Sequence, residues 1–329
     1  MKIIPWVHVF QENPKAKKAE STMLDVCVIG HVTRDIIRIE GKEKILPGGT
    51  AYYSSIALKS LGLNVAVVTK VSYSDKYLLN DLKKINIPVF LKITPKTTIF
   101  ENIYDGYLNH RLQKVTSIAT PFRVEDIPDI SPRIFHIGPL TKKDIPLEVL
   151  KLVAKRSIVS LDVQGFLRDV IKDSVKIKDW DEKYEALSNV DIIKANEMEA
   201  RTLTGEKDMK KAAKKLSKLG PKEVIITLGS NGSLIYSKEK FYLIPPYPQG
   251  KVVDPTGCGD TYMAGYIYMR LKNYSSFVDF DRIGNFAAAV ALLKLQRYGP
   301  FRGSSKEVRR FLKKEGEIES SNSCCRKRE

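Results

Sequence analysis

The stretch KVVDPTGCGDTYMAGYIYMRLK, residues 251–272, sets a proline, two closely spaced glycines and an aspartate at the mouth of an apolar run. Lys251 to Asp254 finishes an extended segment, and Pro255 then fixes φ. Gly257 and Gly259 allow backbone conformations that a Cβ would oppose. TYMAGYIYMRL, residues 261–271, follows as a helix whose first N–H groups have no partner within the helix. Free amides at the positive end of a helix dipole form an anion site. Asp260 is then either a cap, stabilising by about 1 kcal/mol, or a carboxylate held beside the anion that the amides bind. No Gly-Lys-Ser/Thr follows, so the turn is not a Walker loop, and its spacing is not GxGxxG.

Outward from this turn, short apolar runs recur between turn residues: LDVCVIG (24–30), NVAVVTKV (64–71), RIFHIGPL (133–140), SIVSLDV (157–163), VDIIKAN (190–196) and EVIITLG (223–229). Continuous, β-branched runs of this length read as strands covered on both faces in a parallel sheet. Helical patterns lie between several of them, such as TAYYSSIALKSLG (50–62) and LEVLKLVAKR (147–156). The alternation predicts a doubly wound α/β fold with a three-layer core. GSLIYS and KFYLIP, at 232–245, are too close together for a helical crossover and read as an antiparallel hairpin at a sheet edge. Two segments, about 36–47 and 96–116, alternate polar and apolar residues as half-exposed strands do, and predict a small separate sheet.

The chain of 329 residues is expected to divide into a flexible N-terminal extension (1–22), one large domain (23–303), and a short helix with a disordered basic tail (304–329). Met23, just before the first strand, reads as an alternative start. No apolar run reaches the ~20 residues that cross a bilayer, and residues 1–22 lack the apolar centre of a secretory signal. The four cysteines form no CxxC pair and the four histidines show no ligand spacing, which points to a reducing, cytoplasmic setting without structural zinc. A net charge of +17 raises nucleic acid as a partner. Its densest cluster, EKDMKKAAKKLSKLG (206–220), instead places apolar residues on one helical face and lysines on the other, as a solvated surface helix does.

DPTGCGDTYMAG (254–265) resembles the C-terminal signature of the ribokinase-like carbohydrate kinases, the phosphofructokinase-B family. GHVTRD followed by PGGTAYYSSIALKSLG is similar to that family's substrate-binding glycine pair and helix, and KANEMEA to its NxxE element. TLGSNGS is similar to its phosphate-side turn, and NFAAAVALLKLQRYGP to the helix and loop that close over the base. These five elements stand in family order over about residues 24–302. The resemblance implies a ribokinase-like three-layer α/β/α sandwich with a mostly parallel central sheet and a small β lid.

It also implies roles. Asp260 would be the general base toward a substrate hydroxyl attacking the γ-phosphate of ATP, and the backbone of Gly257, Cys258 and Gly259 the anion hole. Asn196 and Glu199 would hold Mg²⁺ through water. Asn196, Thr227, Gly229, Asn285 and Gly299 would meet the nucleotide. Asp35, Gly48 and Gly49 would bind the acceptor, joined by Asp162, Gln164 and Arg168. Arg111 reads equally as a lid contact to substrate or as a solvent-facing side chain. The lid implies a homodimer paired through its sheets.

Departures narrow the reading. Cys258 stands where the family has alanine, either as a reactive thiol at a helix start or as inert packing. Thr50 to Tyr53 and LDVQGFLR (161–168) depart from the ribokinase pattern, and the latter with LQRYGPFR is similar to the inositol-kinase-type branch. The reading is an ATP-dependent, Mg²⁺-requiring cytoplasmic kinase of a sugar or cyclic polyol, with neither membrane nor nucleic acid as partner. Two alternatives stay open. One is a nucleoside kinase of the same fold, using Tyr52, Tyr53 and Phe166 as an aromatic surface. The other is a non-catalytic family member serving as a basic scaffold.

Overall fold

The computed structural model describes residues 7–8, 23–39, 42–104, 111–248, 252–272 and 278–325. In chain order the strands are β1 (Val7–His8), β2 (Val26–Ile29), β3 (Thr33–Ile39), β4 (Lys42–Gly48), β5 (Val65–Val71), β6 (Val89–Ile93), β7 (Ile99–Tyr104), β8 (Arg111–Ser117), β9 (Ile134–Ile137), β10 (Ile158–Asp162), β11 (Arg168–Ile171), β12 (Ser174–Ile177), β13 (Ile192–Asn196), β14 (Glu223–Thr227), β15 (Ser233–Ser237) and β16 (Lys240–Ile244). The α-helices are α1 (Thr50–Ser60), α2 (Asn80–Lys84), α3 (Leu147–Ala154), α4 (Lys183–Leu187), α5 (Glu197–Thr204), α6 (Met209–Ser217), α7 (Cys258–Lys272), α8 (Phe280–Leu295) and α9 (Ser305–Cys325).

Strand β2 shows why three layers form. Val26 and Val28 join one buried cluster, whereas Cys27 and Ile29 join another. Successive side chains of a strand leave opposite faces, so a wholly apolar run needs a helical layer on each side. The first cluster draws in α1, α2, α7, α8 and the start of α9; the second draws in α3 to α6. The large sheet runs β1-β6-β5-β2-β9-β10-β13-β14-β15-β16. Neighbours from β6 to β14 pair in parallel. The 232–245 segment forms the antiparallel edge β15–β16, with Tyr236 opposite Phe241.

The second sheet runs β11-β12-β8-β7-β3-β4 and closes over Phe100, Val115 and Leu140. Among the described residues of segments 36–47 and 96–116, all but 96–98 belong to β3, β4, β7 and β8 of this sheet. The β11–β12 hairpin was not expected, because RDVI and SVKI are short and hold too few apolar residues to announce strands.

Two boundaries differ from expectation. The short helix after residue 304 is instead the 21-residue α9, which runs through most of the segment expected as a disordered tail. Within the 1–22 extension, Val7 and His8 pair antiparallel with β6 at the sheet edge; the rest of that extension lies outside the described residues. On α6, Ala212, Ala213 and Leu216 are buried and the lysines face outward, two of them 5.6 Å from the Phe241 ring. Among the described residues no helix is long and apolar enough to cross a membrane.

Candidate active site

Two clefts meet at the start of α7. The smaller, about 230 Å³, lies under the lid sheet and is lined by Asp35, Gly49, Tyr53, Phe100, Asp162, Arg168 and Asp260, among others. The larger, about 510 Å³, lies between the β14–β15 turn and α8. Pro255, Cys258 and Gly259 line both, so the glycine turn is their common wall.

Local chemistry builds that wall. The Thr256 amide donates to Asp254 Oδ1 at 2.9 Å, closing an Asx-type turn, and Thr261 N to the Gly257 carbonyl at 2.9 Å starts the helix. Gly257 has φ +75°, and a Cβ there would lie 2.2 Å from Tyr53 Cδ1. Of the three amides expected to form an anion hole, that of Cys258 donates within the turn to the Pro255 carbonyl at 3.2 Å. Lys294, 0% exposed on α8, braces the turn from behind: its Nζ donates to the Asp254 carbonyl and lies 3.2 Å from Asp254 Oδ2. The Gly299 amide donates to the same oxygen at 3.1 Å. Gly299 therefore supports the wall and does not line the larger cleft, contrary to its expected place at the base.

Asp260, in the first turn of α7, faces the smaller cleft. Burial pushes its carboxyl up to about 6, with Asp162 adding to the rise and Thr50, Lys194 and Arg168 opposing it. The raised value places its ionisation near the operating range of a general base. Burial likewise pushes the Cys258 thiol up to about 11, away from the low values of reactive thiolates.

Asp35, Gly49, Asp162, Gln164 and Arg168, all expected as acceptor-binding, line the smaller cleft together. Thr33 Oγ1 donates to Asp35 Oδ1 at 2.7 Å. Gly48 does not line the cleft: its missing Cβ leaves the space that Asp35 Oδ2 fills, only 2.2 Å from that point. Arg168 stands 5.9 Å over the Phe100 ring. Of the three aromatic candidates, Tyr53 alone lines the cleft. Tyr52 donates to Asp81 at 2.7 Å, and Phe166 is stacked on Trp180 with centroids 3.9 Å apart. The Arg111 side chain lies outside what is described.

On the other side, Asn196, Thr227 and Gly229 line the larger cleft. Asn285 does not. Its Nδ2 donates to the Asp281 carbonyl and its Oδ1 accepts from Tyr247, while Ala288, Ala291, Leu292 and Leu295 of the same helix form the wall. Asn196 and Glu199 form a reciprocal capping box: Glu199 N donates to Asn196 Oδ1 at 2.8 Å, and both Glu199 oxygens accept from Asn196. Glu199 is 2% exposed, and burial raises its carboxyl above the usual range, with Lys194 opposing and Asp162 adding. Among the described residues no three ligating side chains converge as a metal site. Asn196 lines the larger cleft with both its amide nitrogens committed to Glu199, so an ion there would meet it through water.

Sequence reasoning missed several lining groups. Asn102 and Gln113 of the lid, joined by a 3.0 Å amide hydrogen bond, line the smaller cleft, as do Phe100 and Lys194. Lys194 left one signal, a charge inside the otherwise apolar run VDIIKAN.

Two clefts that share a helix-start wall, with a buried carboxylate beside it, are an arrangement suited to a phosphotransferase that acts on a hydroxyl. The comparisons carry the identification further: the chain belongs to the pfkB family of carbohydrate kinases, whose model matches residues 23–306. It is 34% identical over 259 residues to a cytidine kinase of Thermococcus kodakarensis, covering 74% of this chain and 88% of that one. It is 27% identical over 280 residues to an inositol 3-kinase of Arabidopsis thaliana, covering 81% and 73%. A pyrophosphate-dependent kinase of the ribokinase family, solved with a pyrophosphate analog and myo-inositol, superposes with a TM-score of 0.76 at 27% identity, covering 84% and 97%. The chain is thus a ribokinase-family kinase of a sugar, polyol or nucleoside.

Proposed function

We propose that this kinase transfers the γ-phosphoryl group of ATP to a hydroxyl of a sugar or cyclic polyol held beneath the lid. The carrying observation is the shared wall: Gly259 lines both clefts, and Asp260 follows it on the acceptor side. Asp35 and Asp162 offer carboxylate acceptors to neighbouring hydroxyls, and Gly49 lets a polyol approach the backbone. Asp260 takes the proton of the attacking hydroxyl, and the helix-start amides receive the charge of the phosphoryl group.

An ATP-sized donor, not inorganic pyrophosphate, accounts for the larger cleft. Tyr247, Val252, Ala288, Ala291, Leu292 and Leu295 give it an apolar wall, which suits a nucleobase and serves no purpose for a phosphate chain alone. Mg²⁺, held through water by Asn196 with Glu199 behind it, would neutralise donor phosphate charge.

A second reading, a nucleoside acceptor, is favoured by the likeness to the cytidine kinase and by the planar groups in the smaller cleft, Tyr53, Phe100 and the Asn102–Gln113 amides. One experiment separates these readings. ATP and pyrophosphate are each offered with myo-inositol, ribose, fructose and cytidine, and phosphorylated product is measured. Turnover of inositol or a sugar with ATP supports the first reading, and turnover of cytidine alone replaces it by the second. Turnover with pyrophosphate alone overturns the donor assignment.

A further inference from the structure

The strand that delivers Asn196 also carries a lysine into the interior. Lys194, with a side chain 6% exposed, interrupts the apolar run of β13 and lines the smaller cleft beside Gly259 and Asp260. Its Nζ donates to Asp162 Oδ2 at 2.9 Å. An ammonium carries three N–H donors. Among the described residues, Asp162 accounts for one of them. The same Nζ stands 3.0 Å from the point where a Cβ on Gly259 would lie, so the cation rests against the wall between the clefts.

A purely structural ion pair explains part of this arrangement, but not its position. Burying two charges costs several kcal/mol per ion even when they meet. Here the pair lies where the phosphoryl group must cross. Asp35, Asp162 and Asp260 already line the acceptor side, with Glu199 close behind. A further anion entering this field is opposed unless a cation receives it. Among the described residues Arg168 is the other cation lining the cleft, and it is placed over Phe100 in the lid sheet. Lys194 is the one against Gly259.

Resting on the kinase reading above, we propose that Lys194 is a catalytic residue whose ammonium donates to the oxygens of the phosphoryl group as it passes from donor to acceptor. In that step the acceptor oxygen bonds to phosphorus and its proton goes to Asp260. The bond from phosphorus to the donor's bridging oxygen breaks, and its electron pair stays on the donor. Lys194 remains protonated throughout and acts only through hydrogen bonds and charge. Its pairing with Asp162 holds it in place before the donor arrives.

The test compares Lys194→Met with wild type, using whichever of myo-inositol, ribose, fructose or cytidine the wild type phosphorylates. The expected result is a loss of at least ~100-fold in kcat, with both KM values within about threefold. A second readout is calorimetric binding of ADP with acceptor, with and without aluminium fluoride as a mimic of the transferring group. Wild type should bind ADP more tightly when fluoroaluminate is present; Lys194→Met should bind ADP alone equally well but lose that gain. Because Lys194→Met strands the Asp162 charge, the same ratios are measured for the neutral pair Asp162→Asn/Lys194→Met against Asp162→Asn. Should kcat stay within about threefold of the matched parent, or the fluoroaluminate gain persist, Lys194 is structural and the inference falls. A folded wild type that phosphorylates no acceptor removes the kinase reading and this inference together, whereas an active wild type with an unimpaired variant removes the inference alone.

Discussion

Lys294 Nζ lies 3.2 Å from Asp254 Oδ2 and donates to the carbonyl of the same residue, so a fully buried ammonium ties α8 to the turn that precedes α7. Asp254 in turn holds the amides of Thr256 and Gly299. The glycine wall is thus preorganised by a cation lying 40 residues further along the chain. Replacing Lys294 by Met leaves Asp254 without its counter-charge. Urea denaturation should show a loss of about 3 kcal/mol, and kcat should fall because the amides are no longer fixed. An unfolding midpoint equal to wild type would show that the brace contributes nothing.

If Asp260 is the general base proposed above, it should set the acid limb of activity. A general base must be ionised, and this carboxyl is pushed up to about 6, above the ordinary aspartate value of 3.8. As pH falls through 6 the carboxylate takes up its proton, and kcat/KM should drop about tenfold per pH unit below that point. Asp260→Asn should lower kcat by roughly 10²–10⁴-fold and leave nucleotide binding intact. A flat pH profile from 7 to 4.5 in a variant series that still depends on Asp260 would exclude the base role.

Gly257 is constrained twice. Its φ of +75° is in the left-handed region, and a Cβ would meet the Tyr53 ring at 2.2 Å. Gly257→Ala should destabilise the fold by about 1–3 kcal/mol and displace Tyr53 from the acceptor cleft. Acceptor KM should therefore rise more than nucleotide KM. Equal changes in the two constants would argue that the damage is global and not local to the acceptor side.

His136 makes the core acid-sensitive. It is 0% exposed, and burial pushes its ionisation down to about 4, Lys194 also lowering it while Asp162 and Ser160 oppose. The unfolded chain takes up a proton near 6.5 and the folded chain only near 4. Stability tied to this group is therefore complete above pH 6.5 and is lost as pH falls toward 4, by about 3 kcal/mol in total. Denaturation at pH 7 and pH 4.5 should show this difference, and His136→Gln should reduce it. An unchanged pH slope in that variant would assign the acid sensitivity elsewhere.

Much of this fold was legible along the chain because a parallel sheet writes itself as apolar runs. LDVCVIG and EVIITLG appear as β2 and β14, and the 232–245 segment as the antiparallel edge. The glycine turn was legible for a similar reason: positive φ and a helix start leave local signatures. Gly48, Asn285 and Gly299 are absent from the lining of the clefts because their neighbours, not their types, decide what they face. Gly48 yields space to Asp35, Asn285 turns back to Asp281, and Gly299 serves Asp254. The lid hairpin β11–β12 was missed because a half-exposed ribbon needs little apolar content.

By itself the sequence determined the apolar strands of the parallel sheet, the helix start behind Gly257 and the carboxylate at its mouth, since each follows from φ, periodicity and local hydrogen bonding. Only the tertiary structure decided which of the 55 lysines and arginines are interior. Lys194 shows only as a charge inside an apolar run and Lys294 carries no mark at all; what singles them out is contact with Asp162 and Asp254, 32 and 40 residues away. Burial and charge pairing depend on distances that folding creates, so the two cations behind the wall become visible only once the clefts have closed around them.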